Sequence, residues 1–327
     1  MSLSHKFASL CMTLSLSVAL AAPALADSAA DAYPKDTIKF VCTHGTGDTD
    51  FNTRMIARSL KDELGVNTIV ATVTGGNASV PYTQYKDERP DGYTLIGTNT
   101  MALAADEASG IIDFGYDAFE PVAVFGVQSG EVCIVPADAA CKTAEDLVKI
   151  SRDNGEGIKM GVAVGGSSYI AAKIMMQELN AHFSLIDTGG DGTGRILSLV
   201  GGHVDVTIAP YALAKPYIEA GKVRALFSLR THRLPDAPEL PTAAEIGIPN
   251  LYIDSLYAIL APKGTDKAIV EKLNAAIVKI VSSDESYRKI VSAYNYQQPY
   301  ALSVEDTIVR LQKQREHIMG YAQYLKD

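Results

Sequence analysis

Short apolar segments alternate with segments of helical periodicity along nearly the whole chain. Each apolar segment has the length of a buried strand, as in TIKFVC at residues 37–42 and VDVTIAP at 204–210. Between them, apolar residues recur three or four positions apart; Met55, Ile56 and Leu60 do so before a stop at Gly65. This alternation is typical of a sheet with crossover helices and predicts an α/β fold.

The same pattern locates the other elements. It predicts strands at 67–73, 93–98, 131–136, 158–163, 183–187 and 223–229, and helices at 78–88, from Thr143, from Ser167, at 193–199 and at 212–221. The proline-rich segment 231–242 is expected to be a surface loop. After residue 262 the chain is expected to be mostly helical, at 266–282 and 303–325.

The order of these elements predicts two lobes with a cleft between them. Lobe 1 is expected to comprise residues 27–124 plus 254–327, with the helical tail packing on it, and lobe 2 residues 125–253. Ligands of open α/β sheets bind beyond the carboxyl ends of the strands, so the loops after the strands are the expected site.

Residues 1–26 have the features of a secretory signal peptide. Lys6 precedes an apolar run that is too short to span a bilayer, and the small residues ending at Ala26 fit a cleavage site. The mature chain is therefore expected to be soluble and exported.

An acidic charge balance restricts the partners. The formal net charge is −9, and the signal peptide contributes one lysine and no acidic residue. Nucleic acids and acidic membrane surfaces need basic footprints, so neither is an expected partner.

Three cysteines remain after signal removal. Cys133 and Cys141 are close enough in sequence to form a disulfide in an oxidising compartment, and the alternative is that they are buried thiols. Cys42 lies within an apolar run and is expected to be buried.

The segment VCTHGTGDTDFNTR at residues 41–54 allows two kinds of site. Asp48, Asp50 and Asn52 have the spacing that begins a calcium loop, but Thr53 and Ser59 stand where that loop needs glycine and glutamate. The glycines instead favour backbone donors for an anion. Asp50 is expected to cap the helix that follows.

No motif for nucleotide binding, metal binding or hydrolysis is complete. The chain lacks G-x-x-x-x-G-K-[ST], H-E-x-x-H and G-x-S-x-G, and we expect neither a cofactor nor a metal. The histidines are scattered, which favours surface or packing roles. They are His44, His182, His203, His232 and His317.

What recurs is a strand followed by a turn rich in glycine and hydroxyl residues and then a helix. It occurs at HGTGDTD, AVGGSSY and TGGDGTG, which start at residues 44, 163 and 188. Such turns present N–H groups and the positive end of a helix dipole to one point. Three of them in a chain with a cleft favour an anion site.

Six segments together resemble a known family. PDGYTLIGT, LVGGHVDV, GKVRALFSL and LPDAPELPTAAEIG start at residues 90, 199, 221 and 234, after YPKDTIKFV and GTGDTD. In order and spacing they resemble the periplasmic receptors of tripartite tricarboxylate transporters, also called Bug receptors, and the resemblance covers the mature chain.

The resemblance implies a two-lobe periplasmic binding protein of type II-like architecture. Such a receptor closes over a small carboxylate, works as a monomer and delivers its ligand to a membrane permease. The resemblance also implies that loops between the lobes hold the ligand through main-chain amides and water. The ligand-binding residues it implies are His44, Gly45, Thr46, Gly47, Asp48, Asp50, Thr98, Asn99, Gly165, Gly166, Ser167, Ser168, Thr188, Gly189, Gly190, Asp191, Asp205 and Pro210.

The sequence departs from the family pattern at two acidic residues. Asp48 and Asp191 place negative charge close to the expected anion site, where it would repel a carboxylate by ~1 kcal/mol or more. Either both side chains face solvent, or the ligand carries a positive group as well as a carboxylate.

The expected function is transport reception, without catalysis. Two alternatives are a ligand-sensing co-receptor for a signalling partner and an exported hydrolase that would use Ser167 or Ser168 with a histidine.

Overall fold

Strands from distant parts of the chain form two separate mixed sheets. The computed structural model describes residues 32–45, 47–153, 157–189, 192–294 and 297–326. The expected signal peptide and the expected site residues Thr46, Gly190 and Asp191 lie outside these ranges. The strands are β1 Ile38–Cys42, β2 Thr68–Thr72, β3 Thr94–Asn99, β4 Phe119–Val127, β5 Glu131–Pro136, β6 Lys159–Val162, β7 Ser184–Asp187, β8 Val206–Pro210, β9 Val223–Ser228, β10 Leu256–Pro262 and β11 Gln298–Pro299.

Helices of four to seventeen residues connect and cover these strands. They are α1 Asp48–Leu64, α2 Ser79–Tyr85, α3 Thr100–Ala108, α4 Ala144–Asp153, α5 Ser167–Leu179, α6 Gly192–Val200, α7 Tyr211–Glu219, α8 Lys267–Ser283, α9 Glu285–Ala293, α10 Val304–Met319 and α11 Ala322–Leu325. None of the helices within the described ranges is both long enough and apolar enough to cross a membrane.

The order of the strands confirms the two-lobe α/β fold. The lobe 1 sheet has the order β11-β4-β10-β3-β1-β2, and the lobe 2 sheet has the order β7-β6-β8-β5-β9. In each sheet some strands run parallel, and β10 and β5 run antiparallel to their neighbours. The lobe boundaries at 124/125 and 253/254 stay a prediction, and β4 itself extends to Val127.

The first strand and helix show how the sequence produces this fold. Residues of β1 are buried on both faces, as expected for an inner strand of a parallel sheet. Ile56 and Leu60 of α1 are fully buried against it, which stabilises the fold by ~1.5–3 kcal/mol for each side chain. The helix ends at Gly65, where φ is +70° and the N–H donates to the carbonyl of Lys61.

The expected capping role of Asp50 is wrong. The helix begins at Asp48 after Gly47, so Asp50 lies within the first turn. Its carboxylate binds the guanidinium of Arg54 one turn later and accepts a hydrogen bond from Thr72. A carboxylate in a first turn still interacts favourably with the helix dipole.

The periodicity of the sequence did not indicate α3, which lies between the lobes. Eight of its nine residues are buried, so it has no polar face to mark it as a helix. Met101, Ala104, Ala105 and Ala108 share one apolar core with strands and helices of lobe 2. The two lobes are therefore joined by packing as well as by the chain itself.

The helical tail packs on lobe 1 as expected, and its end also reaches lobe 2. Leu273 and Ile277 of α8 belong to a core with β1 and β4, and Leu311 of α10 belongs to a second core of that sheet. Tyr321, just before α11, donates a hydrogen bond of 3.0 Å to Glu178 of α5.

The disulfide that the sequence allowed is absent from the structure. Cys133 in β5 and Cys141 in the following loop are both buried free thiols, and so is Cys42. Burial raises the pKa of the thiols of all three.

Candidate functional site

A cleft of about 170 Å³ lies between the two sheets. Lobe 1 lines it with residues that follow β1 and β2, cap α3 or precede β10, and lobe 2 with residues at one edge of its sheet. The residues on the lobe 1 side, with Gln128 at the crossing, are His44, Asn77, Asn99, Met101, Ala102, Gln128 and Ser255; those on the lobe 2 side are Glu131, Ala163, Gly166, Ser167, Gly192, Arg195 and Pro210.

Strand polarity explains why these lobe 2 residues meet. The parallel strands β6 and β8 end at this edge, in the turn before Gly166 and at Pro210. The antiparallel strand β5 begins there, and its first residue, Glu131, is the register partner of Pro210. An acidic side chain is thereby placed beside the ends of the parallel strands.

Four helices begin at the cleft. Asn99 caps α3, Gly166 caps α5, α6 begins at Gly192, and Pro210 precedes α7. The first turn of a helix has N–H groups without intrahelical partners and carries a partial positive charge. The cleft is therefore suited to an anion, and two of the three glycine-rich turns, those before α5 and α6, lead to helices that begin there.

The side chains that cap these helices differ. Asn99 Oδ1 accepts a hydrogen bond of 2.9 Å from the N–H of Met101, which stabilises α3 by ~1 kcal/mol. Gly166 and Pro210 provide no side-chain cap. The turn before α5 therefore reaches the cleft without a side-chain cap, whereas at α7 the N–H of Tyr211 donates to the carbonyl of Gly130 at 2.8 Å and that of Ala212 to Ser129 Oγ at 3.3 Å.

Five of the expected site residues line this cleft. They are His44, Asn99, Gly166, Ser167 and Pro210.

His44 contributes a neutral ring. Its Nδ1 lies 2.8 Å from the hydroxyl of Thr43, and burial lowers the pKa of His44 to about 4. The imidazole therefore carries no charge at neutral pH. Gly45, next in the chain, is exposed, and Gly47 precedes α1; neither belongs to the cleft lining.

Asp48 does not project into the cleft. Its Oδ2 accepts hydrogen bonds from Tyr257 at 3.2 Å and from Gln128 at 3.3 Å. Asp48 thus binds residues of lobe 1 and of the crossing segment, and Asp50 binds Arg54. The Asp48 carboxylate is therefore hydrogen-bonded within the protein and does not simply face solvent, while the alternative that the ligand carries a positive group stays a hypothesis.

Thr98 and Ser168 lie outside the cleft lining and form hydrogen bonds with residues of the loops around it. Thr98 is 1% exposed, and its hydroxyl is hydrogen-bonded to those of Thr43 and Tyr82. Ser168 is fully buried and accepts a hydrogen bond of 2.9 Å from the N–H of Ala163. These hydroxyl groups fix the loops and are not part of the cleft wall.

The third loop is only partly described. Thr188 donates its N–H to the carbonyl of Val162 at 3.0 Å, and Gly189 is exposed.

Asp205 is exposed and accepts a hydrogen bond from the N–H of Lys159. It precedes β8, whose other end reaches the cleft at Pro210, so it lies about five residues, or ~16 Å, from the cleft. Its expected place beside the ligand is therefore wrong.

A hydrogen bond crosses between the lobes at Gly165. Asn77 Nδ2 donates to the carbonyl of Gly165 at 2.9 Å and also to Oδ1 of Asp106 at 3.0 Å. Asp106 is fully buried, and burial raises its pKa to about 7. Gly165 thus acts through its carbonyl group in holding the lobes together.

Glu131 and Arg195 are charged residues of the cleft that sequence reasoning missed. Glu131 is 2% exposed, and its Oε1 accepts a hydrogen bond of 2.9 Å from Ser167. Burial raises the pKa of Glu131, while Arg195 and Ser167 oppose that shift. Arg195 is 4% exposed and donates from Nε to the carbonyl of Ile208 at 2.8 Å.

Each missed charge had a sequence signal. Glu131 begins the apolar segment EVCIVP, where a charge is unusual unless it has a role at the strand end. Arg195 lies near the start of α6, where a cation is unfavourable to the helix dipole. In the described part of the chain, no three metal-ligating side chains cluster.

The chain matches known proteins over most of its length. The family described as tripartite tricarboxylate transporter family receptor matches residues 52–319. A Cupriavidus necator protein, "UPF0065 protein in gbd 5'region", is 29% identical over 287 residues, which is 85% of this chain and 84% of that protein.

Two solved structures show the same fold. The periplasmic binding protein BugD has a TM-score of 0.74 and 22% identity, covering 89% of this chain and 98% of that one. MatC from Rhodopseudomonas palustris, with bound malate, has a TM-score of 0.72 and 24% identity, covering 90% of this chain and 100% of that one. The family match over residues 52–319 establishes that this chain is a member of the tripartite tricarboxylate transporter receptor family, whose members are periplasmic solute-binding proteins.

Proposed function

We propose that this receptor binds a small carboxylate in the cleft between its lobes and delivers it to the permease of a tripartite transporter. The protein acts in the periplasm after removal of residues 1–26. It works as a monomer and catalyses no reaction.

The observation that carries this proposal is the convergence of four helix starts on one cleft. The residues at which α3, α5, α6 and α7 begin line one cleft, and the Arg195 side chain lines it too. A carboxylate held there would replace its hydration by fixed N–H donors, which need little reorganisation on binding. MatC, which has this fold, was determined with malate and supports this ligand class.

The hydroxyl groups at the cleft support a binding role over hydrolysis. The hydrolase alternative needs a histidine base within hydrogen-bond reach of Ser167 or Ser168. Ser167 instead donates to Glu131, Ser168 accepts from Ala163, and the His44 ring is bonded to Thr43. None of these contacts pairs a serine with a histidine.

Isothermal titration calorimetry of the purified protein tests the proposal. Succinate, L-malate, adipate, citrate, L-aspartate and L-glutamate are titrated, with butane-1,4-diol as an uncharged counterpart of succinate. We expect at least one carboxylate to bind and to raise the melting temperature, while the diol does neither. Absence of binding by every carboxylate in the panel would refute the proposal.

A further inference from the structure

Glu131 has one buried carboxylate oxygen without a hydrogen-bond partner among the described residues. The residue lines the cleft and is 2% exposed. Oε1 accepts the hydrogen bond from Ser167, whereas Oε2 has no hydrogen-bond partner among the residues that the structure describes. The carboxylate is thus held in place by one oxygen, and its second oxygen is buried without a hydrogen bond.

A buried carboxylate oxygen without a partner is unfavourable, because the water it has lost is not replaced. Such groups are rare in folded proteins and call for a specific reason. Here the unpartnered oxygen is in the wall of a ligand cleft. A ligand group that donates a hydrogen bond to this oxygen would supply the missing partner, and would do so only when the ligand is bound.

The charge of Glu131 restricts what that group is. An ionised carboxyl group only accepts hydrogen bonds, and it repels a second carboxylate in the same poorly hydrated space. The helix starts and Arg195 attract a ligand carboxylate to the cleft, so an anion and Glu131 must share it. A protonated amino group beside the ligand carboxylate satisfies both demands, because it donates to Oε2 and cancels the repulsion.

We propose that Glu131 binds the protonated amino group of the ligand and makes this receptor selective for amino-carboxylates over plain dicarboxylates. The proposal rests on the carboxylate-binding function proposed above and specifies its ligand class. It also assigns Ser167 a positioning role, since its hydroxyl holds Oε1 and leaves Oε2 as the oxygen that would bind the amino group.

Glu131 could act in the opposite way if it were protonated. Burial favours the neutral acid, and Arg195 and Ser167 favour the charged form. A neutral Glu131 would donate a hydrogen bond to a ligand carboxylate, so plain dicarboxylates would bind well and would bind better at low pH. The experiment separates these two modes.

Matched ligands that differ only by an amino group test the proposal by calorimetry. L-aspartate is compared with succinate and L-glutamate with glutarate, at pH 6 and pH 8. The variant is Glu131→Gln, which keeps the shape and an acceptor for Ser167. Glu219→Gln is the control, because Glu219 is an exposed residue at the far end of α7.

In the wild-type protein we expect the amino member of at least one pair to bind about 10-fold to 100-fold more tightly. Glu131→Gln should remove that preference, and Glu219→Gln should keep it. Equal affinity within both pairs in the wild-type protein would overturn the proposal without a variant. It would also be overturned if Glu131→Gln weakened succinate or glutarate binding, or if those acids bound with proton uptake. Failure of every ligand to bind would instead refute the carboxylate-binding function itself.

Discussion

Asn77 Nδ2 and the carbonyl oxygen of Gly165 lie 2.9 Å apart in a hydrogen bond that joins the two lobes beside the cleft. Asn77 has a φ of +52°, which glycine also adopts easily. Asn77→Gly should therefore remove the bond with little backbone strain. We expect ligand affinity to fall about fivefold, measured by calorimetry, because the closed arrangement loses ~1 kcal/mol. Asn180→Gly is the control, since Asn180 has a φ of +48° and lies at the exposed end of α5. Equal losses in both variants would contradict a specific role for the Asn77 bond.

The buried carboxyl group of Asp106 should make stability fall as pH rises. Burial raises its pKa to about 7 from an ordinary value of 3.8, so the folded state holds a proton that the unfolded state has lost. The free energy of unfolding should decrease between about pH 4 and pH 7, by up to ~1.4 kcal/mol per pH unit from this group. Urea unfolding of the wild-type protein and Asp106→Asn at pH 5, 6, 7 and 8 measures the difference. A difference between the two proteins that does not change with pH would contradict the prediction.

His44 should contribute a pH dependence of the opposite sign. Burial lowers its pKa from 6.5 to about 4, so the unfolded state binds a proton more readily than the folded state. Its contribution is present above about pH 6.5 and is lost as pH falls towards 4. His44→Gln should remain neutral and remove this dependence, which melting curves between pH 4.5 and 7.5 detect. We also expect ligand affinity of the wild-type protein not to follow a His44 titration between pH 6 and 8.

Gly192 allows α6 to start close to the end of β8. A Cβ atom at this position would lie 2.8 Å from Pro210 Cδ and 2.9 Å from Leu213 Cδ1. Gly192→Ala should therefore displace the start of α6 and lower carboxylate affinity by about 10-fold or more. Gly45→Ala is the matched control, because its Cβ would meet nothing within 4 Å and the residue is exposed. Wild-type affinity in Gly192→Ala, with a circular dichroism spectrum like that of the wild type, would contradict the role of this helix start.

The three buried thiols should be unreactive in the folded protein. Cys42, Cys133 and Cys141 are free, and burial raises the pKa of each, which disfavours the reactive thiolate. Alkylation under non-reducing conditions, followed by peptide mapping, should modify all three after unfolding in guanidinium chloride and none before. A peptide that links Cys133 to Cys141 would show that the bridge forms.

Sequence reasoning predicted the two-lobe α/β fold because strand and helix periods differ clearly along this chain. It missed α3 because a helix that is buried on all sides shows no amphipathic period. It also placed the cap of α1 three residues too late, at Asp50, which is a residue type common at caps, whereas the cap is Gly47.

The site was predicted less well, for a reason of topology. The rule that ligands bind at the carboxyl ends of strands pointed to Gly166, Ser167 and Pro210, which line the cleft, and their role in binding stays a prediction. It did not predict Glu131 or Ser255. The strands β5 and β10 run antiparallel to their neighbours, so their amino ends, and not their carboxyl ends, lie at the cleft. The direction of a strand within its sheet depends on which distant segments pair with it. Local sequence patterns carry no information about that pairing.

The alanine-rich surface of α3 determines how the lobes can move. Ala104, Ala105 and Ala108 lie in one core with residues of α5, such as Ala171 and Ile174. A wide hinge rotation would expose this apolar core to water at a cost of ~25 cal/mol per Å². Small side chains interlock weakly, so one helix can slide along the other while the core stays covered. We therefore expect ligand entry to occur by a shear of a few ångströms between α3 and α5, which is a smaller and faster motion than opening about a hinge.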